Sequence, residues 1–179
     1  MKILPAVILI AVFALSVQGQ TTMPSAQTVI DEALKIAKVQ DKALFIEFRA
    51  SWCSWCRQLD QMLASPEVGK LFTDNFVLVS LTVQESDDKL HMENPGAQEL
   101  MDKNGAGKAG VPYYLLLDKN GMKLNDSMAM PKGGNIGYPA TPEEIQIFGS
   151  LLPKAAPRLT ATQRASIAEY LTKHAPKQE

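Results

Sequence analysis

Cysteine and histidine are scarce in this sequence, and their scarcity removes several chemistries at once. Two Cys and two His occur in 179 residues. A structural zinc site usually takes four such ligands, and His91 and His174 form no paired spacing with Cys53 and Cys56. Attachment of a c-type haem needs a His directly after the second Cys of a pair, and Arg57 stands there. A charge excess of either sign is lacking too, with 18 Lys and Arg against 19 Asp and Glu and a net charge of −1. That balance gives no electrostatic footing for nucleic acid or for an anionic membrane surface. The longest apolar run, Ile3 to Val17, is about 15 residues, short of the ~20 that a membrane-spanning helix needs. The glycines between Gly105 and Gly110 are not followed by the Gly-Lys-Ser/Thr of a phosphate loop.

What is present begins with a leader. Lys2 precedes the run Ile3 to Val17, which only Pro5 and Ser16 interrupt, and Val17 and Gly19 are small residues at −3 and −1 of a cut before Gln20. Residues 1–19 therefore read as a signal peptide, with an uncleaved anchor as the alternative. Its removal takes away Lys2 alone and moves the net charge from −1 to −2. The expected organisation is a flexible segment at 20–27 and a single domain over 28–175. A chain of that size buries a self-sufficient core, so the two Cys are not needed as a staple. Export to a periplasmic or extracellular compartment places them where disulfides form and persist. No stable membrane insertion is expected after cleavage, and a monomer is expected.

Apolar residues from Thr28 to Val39 recur at helical spacing. Ala43-Leu44-Phe45-Ile46-Glu47-Phe48 is a compact apolar run suited to a strand buried on both faces. Helical spacing resumes with Cys56, Leu59, Met62 and Leu63, and Ser65-Pro66-Glu67 carries the signals of another helix start. Phe76 to Val83 reads as a second buried strand, and Pro95 to Asn104 as a short helix ended by Gly105. Tyr113 to Leu117 and Met122 to Met128 flank the turn Asp118-Lys119-Asn120-Gly121 and predict a hairpin. A long loop over 129–140 leads to a helix opened by Thr141-Pro142-Glu143-Glu144, and a last helix runs from Thr160 to His174. This alternation predicts an α/β fold: a central mixed β-sheet flanked by helices, with an antiparallel hairpin at one edge and an additional C-terminal helix.

Cys53 and Cys56 stand at the junction between a strand and a helix. A Cys in the first turn of a helix meets unpaired backbone N–H groups and the positive end of the helix dipole, which favour the thiolate. The thiolate is the attacking species in disulfide exchange, so this placement points to Cys53 as nucleophile and to Cys56, one turn on, as resolving thiol. An inert structural disulfide would close too small a loop to stabilise much. Arg49 and Arg57 flank the pair and either favour a thiolate or are solvated surface charges. Glu47 is a carboxylate inside an apolar run. Its pKa is raised if it faces the interior, and it is unremarkable if it points outward at a helix–sheet seam.

Trp52-Cys53-Ser54-Trp55-Cys56, following the strand Phe45-Ile46-Glu47-Phe48, resembles the active-site segment of thioredoxin-like proteins. The likeness is to exported bacterial thiol-disulfide interchange proteins with a Trp between the cysteines. Gly110-Val111-Pro112, directly before Tyr113, is similar to that family's cis-proline loop, and the resemblance covers roughly 28–128 plus the helix from Pro142. It implies a thioredoxin-like fold and a thiol-disulfide oxidoreductase with no cofactor beyond a redox-active Cys53–Cys56 disulfide. It also implies a cis Pro112 beside the sulfurs, a client backbone pairing at Val111, Trp52 flanking the cleft, and Glu47 moving the proton of the resolving Cys. The implied partners are protein thiols and disulfides together with a redox partner that the sequence does not name. The resemblance favours the reductase or isomerase side, whereas Ser54-Trp55 departs from the familiar dipeptides and leaves direction open. The competing expectation is a non-catalytic protein-binding or chaperone module that keeps the fold and uses the cleft for recruitment.

Overall fold

A computed structural model describes residues 23–175; the leader expected at 1–19 lies outside them. The first helix, α1 (Ala26–Gln40), begins inside the segment expected to be flexible. Two bonds place it there: the Ser25 side chain caps the helix by accepting from the Thr28 N–H, and the Ala26 N–H donates to the Pro95 carbonyl. There follow β1 (Ala43–Arg49), α2 (Ser54–Ala64), α3 (Gly69–Asn75) and β2 (Phe76–Thr82). After a short 3₁₀ segment at Asp87–Met92 come α4 (Ala97–Lys103), β3 (Tyr113–Leu117), β4 (Lys123–Asp126), α5 (Pro142–Ala155) and α6 (Ala161–His174). α5 and α6 both open on capping boxes, Thr141 with Glu144 and Thr160 with Gln163.

The four strands stand in the order β2-β1-β3-β4. β2 runs parallel to β1, and β3 and β4 are antiparallel to their neighbours, which is the mixed sheet that the alternation predicts. β1 is central and buried along nearly its whole length. Its period of two sends Phe45 and Glu47 to one face and Leu44, Ile46 and Phe48 to the other. On the first face Phe45 joins Leu59 and Met62 of α2, Phe72, Tyr114, Phe148 and Leu171. On the second, Leu44, Ile46 and Phe48 pack with Ala33, Ala37, Leu81 and Met101.

Two expectations are corrected. β2 is an edge strand and not a fully buried one: Leu78 and Ser80 are exposed, while Val79 and Leu81 turn inward. The Ser65-Pro66-Glu67 signal also starts a turn and not a helix. Ser65 does accept from the Val68 N–H at 3.1 Å, yet helical backbone sets in only at Gly69. There the chain passes so close to the end of α2 that a Cβ would stand 2.6 Å from the Leu63 carbonyl oxygen.

Phe45 is the hinge of the larger core, with its ring 5.1 Å from Tyr114, 5.8 Å from Phe76 and 6.3 Å from Phe72, centroid to centroid. Phe45→Ala is expected to remove about 3–5 kcal/mol of stability, read from the urea midpoint at an unchanged m-value. A loss below ~1 kcal/mol would mean that the core collapses around the gap.

Candidate active site

The site is built where β1 ends and α2 begins. Ala50 is buried, Ser51 and Trp52 turn the chain, and Cys53 becomes the residue that caps α2. Cys53 itself has extended backbone, φ −75° and ψ 108°, so it stands just outside the first turn in which the sequence placed it. The change of position sharpens the chemistry. Its sulfur takes the place of a capping Ser or Thr oxygen and accepts a hydrogen bond from the Cys56 N–H at 3.0 Å. Cys53 and Cys56 form a disulfide, and neither residue is more than 2 % exposed.

The Val111–Pro112 peptide bond is cis, and the Val111 carbonyl oxygen lies 3.3 Å from the Cys53 sulfur. Two segments 58 residues apart in the chain thus meet at one sulfur. Trp52 is more than half exposed beside them, and its indole Nε1 donates to the Gln84 carbonyl at 2.7 Å. Beyond the disulfide, a cleft of about 590 Å³ is lined by Trp55, Val111, Pro112, Asn135, Tyr138 and Glu144, among others. Among the described residues no group of three or more His, Cys, Asp or Glu could hold a metal ion.

Glu47 faces the interior and is 1 % exposed. Its Oε1 has no hydrogen-bond partner among the described residues. Burial pushes the carboxyl up to about 8; the nearby Asp60 carboxylate adds to the rise and the Arg49 guanidinium opposes it. Arg49 is not free to serve the sulfurs, because both of its terminal nitrogens hold Asp60, at 2.9 and 2.6 Å. Arg57 donates to the Ser51 carbonyl, at 3.5 Å. A cavity of about 240 Å³ between α2 and β2 is lined by Glu47, Asp60 and Ser80.

Sequence reasoning passed over Glu85. This residue is 8 % exposed, and its two carboxylate oxygens accept from the Ser51 N–H at 2.5 Å and the Ser51 hydroxyl at 2.8 Å, pinning the turn that carries Trp52 and Cys53. Its one signal is an acid shortly after a strand, which does not set it apart from Asp87, Asp88 and Glu93 nearby. Trp55 was named only as part of the motif. It stacks on Tyr138 of the 129–140 loop, with centroids 6.1 Å apart and planes inclined by 24°.

The raised carboxyl of Glu47 has a signed consequence. The folded protein keeps this proton up to about pH 8, whereas the unfolded chain releases it near 4.5. Between those values the folded state binds the extra proton, so its stability falls as pH rises, by at most ~1.4 kcal/mol per unit. Urea unfolding of the oxidised protein from pH 5 to 9 is expected to show Glu47→Gln gaining on the parent across that window. Parallel pH profiles would mean that Glu47 does not titrate there.

A family model described as thioredoxin-like matches residues 25–119, from the cap of α1 to the turn after β3 and more than half of the chain. Among curated proteins no match is found. A disulphide isomerase from Xylella fastidiosa is similar at 23% identity, covering 83% of this chain and 89% of that one, with a TM-score of 0.48. A thioredoxin from Thermus thermophilus is 23% identical over 58% of this chain and 71% of that one, at 0.42. An oxidoreductase, DsbH, is 23% identical over 73% and 83%, at 0.44. By the family match, with its cysteine pair bonded at the start of a helix, the chain belongs to the thioredoxin-like family.

Proposed function

We propose that this thioredoxin-like thiol-disulfide oxidoreductase works after export, on disulfides of client proteins, in the reducing or isomerising direction. The observation that carries the reading is the Cys56 N–H held on the Cys53 sulfur at the start of α2, with the Val111–Pro112 loop against the same sulfur. An N–H directed at a sulfur favours its anion, so the reduced pair should present Cys53 as thiolate well below the ~8.5 of a free Cys.

In the reducing direction the Cys53 thiolate attacks one sulfur of a client disulfide. A mixed disulfide forms, and the other client sulfur leaves as thiolate and takes a proton. Cys56 gives its proton to the Glu47 carboxylate, through water, and its sulfur then attacks Cys53. This closes the Cys53–Cys56 disulfide and releases the second client thiolate. Two electrons have passed to the client, and a separate dithiol partner must return two electrons and two protons. The internal disulfide does the work that a cofactor would otherwise do. A Glu47 carboxyl that titrates near 8 can accept and return a proton around neutrality, which an ordinary carboxyl cannot do well.

Val111 and Pro112 receive the client backbone in this reading, and Trp52 flanks it. Residues 1–19 supply the export, to a periplasmic or extracellular site where the chain acts as a monomer. Among the described residues no helix is long and apolar enough to cross a membrane.

Two measurements test the proposal. Thiolate absorbance of the reduced protein against pH, together with reduction of insulin, is expected to show an acidic Cys53 and turnover; an unperturbed titration without turnover would refute the exchange reading. Cys56→Ser is expected to accumulate mixed disulfides that Cys53→Ser/Cys56→Ser does not. Equal non-covalent capture by both variants would mark a binding or chaperone module instead.

A further inference from the structure

The loop between β4 and α5 lies outside the segment matched to the family, and its path is tied to the active site at several points. Asn135 makes four hydrogen bonds. Its Nδ2 donates to the Gly110 carbonyl at 2.7 Å and to the Pro112 carbonyl at 3.0 Å. Its Oδ1 accepts from the Ser127 hydroxyl at 2.7 Å and from the Gly137 N–H at 3.2 Å. Two carbonyls on one side and an N–H on the other allow the amide only this orientation. Ser127, fully buried, in turn accepts from the Tyr114 N–H, so the anchor is fastened to the sheet. Gly137 follows with φ +60°, and a Cβ there would stand 3.6 Å from the Pro112 oxygen; glycine is the residue suited to that backbone. Tyr138 then reaches Trp55 between the two cysteines.

The loop thus grips the Gly110–Pro112 segment through the Gly110 and Pro112 carbonyls, while the Val111 carbonyl meets the Cys53 sulfur. The two carbonyls that Asn135 engages flank Val111, whose own backbone it leaves alone. We propose that Asn135 is a positioning residue for client proteins: it holds the Val111–Pro112 edge at the Cys53 sulfur in the shape that an extended client backbone must meet. The inference rests on the exchange reading given above and adds to it the residue that presents the docking edge. A client polypeptide has to pair with that edge, whereas a small aromatic disulfide reaches the sulfur without it. Loosening the edge therefore penalises the polypeptide more.

The test is a ratio. Wild-type protein, Asn135→Asp and Asn135→Ala are compared in rate constants for a disulfide-bonded polypeptide and for a small aromatic disulfide. Asn135→Asp keeps the acceptor that Ser127 and Gly137 use and sets an oxygen against two carbonyls; Asn135→Ala deletes both halves without adding a charge. The polypeptide-to-small-disulfide ratio is expected to fall about tenfold in Asn135→Asp, the scale of one or two hydrogen bonds, and less in Asn135→Ala. A merely structural role would slow both substrates in proportion and leave the ratio fixed, and that result overturns the inference, as does no change in either rate. If Asn135→Asp does not fold, the ratio in Asn135→Ala decides alone. A wild-type protein inactive on both disulfides would instead overturn the exchange reading itself.

Discussion

The hydrogen bond from the Cys56 N–H to the Cys53 sulfur joins the fold to its chemistry, and much of the molecule is arranged so that it can form. A helix leaves its first N–H groups without partners, and a capping side chain normally satisfies one of them. Here that acceptor is a sulfur that also breaks and forms bonds. The cap needs Cys53 in extended backbone at a fixed place, and a fixed place needs a strand that does not move. β1 provides it, buried in the middle of the sheet with the large aromatic cluster around Phe45 behind it. The turn from strand to helix is then tied from outside by Glu85 on Ser51 and by Gln84 on the Trp52 indole.

Two acids lie close to this turn in the chain or in space, and their surroundings differ. Glu85 has its carboxylate filled with hydrogen bonds from Ser51, so it serves as an anchor. Glu47 is buried with one oxygen unpartnered, beside a second carboxylate and under an arginine already committed to Asp60. An acid so placed holds its proton to an unusually high pH.

The loop after β4 gives the site its other wall. Asn135, Gly137 and Tyr138 touch Gly110–Pro112 and Trp55 within a few residues, so one irregular segment contacts both halves of the exchange centre. Irregular segments commonly carry function when a rigid scaffold positions them. Ser127 supplies that scaffold here, as an acceptor for the Tyr114 N–H of the sheet.

The proline loop far along the chain was marked by its resemblance to the family's; the sequence by itself determined the element order, the mixed sheet and the cysteine pair at a strand-to-helix junction. These were legible because they depend on local rules: apolar periodicity, capping residues, and turn residues between strands. Glu47 was legible as a choice between inward and outward, since alternation fixes its face relative to Phe45 but does not say which face is covered. Tertiary structure decided what depends on contacts between distant segments. It set Glu47 inward, gave Arg49 to Asp60, and made β2 an edge strand because nothing pairs on its far side among the described residues. It also brought Glu85 and Asn135 to the site from 34 residues after Ser51 and 25 residues after Gly110. No periodicity records such a meeting, because a polar residue in a loop reads the same whether it faces water or two carbonyls.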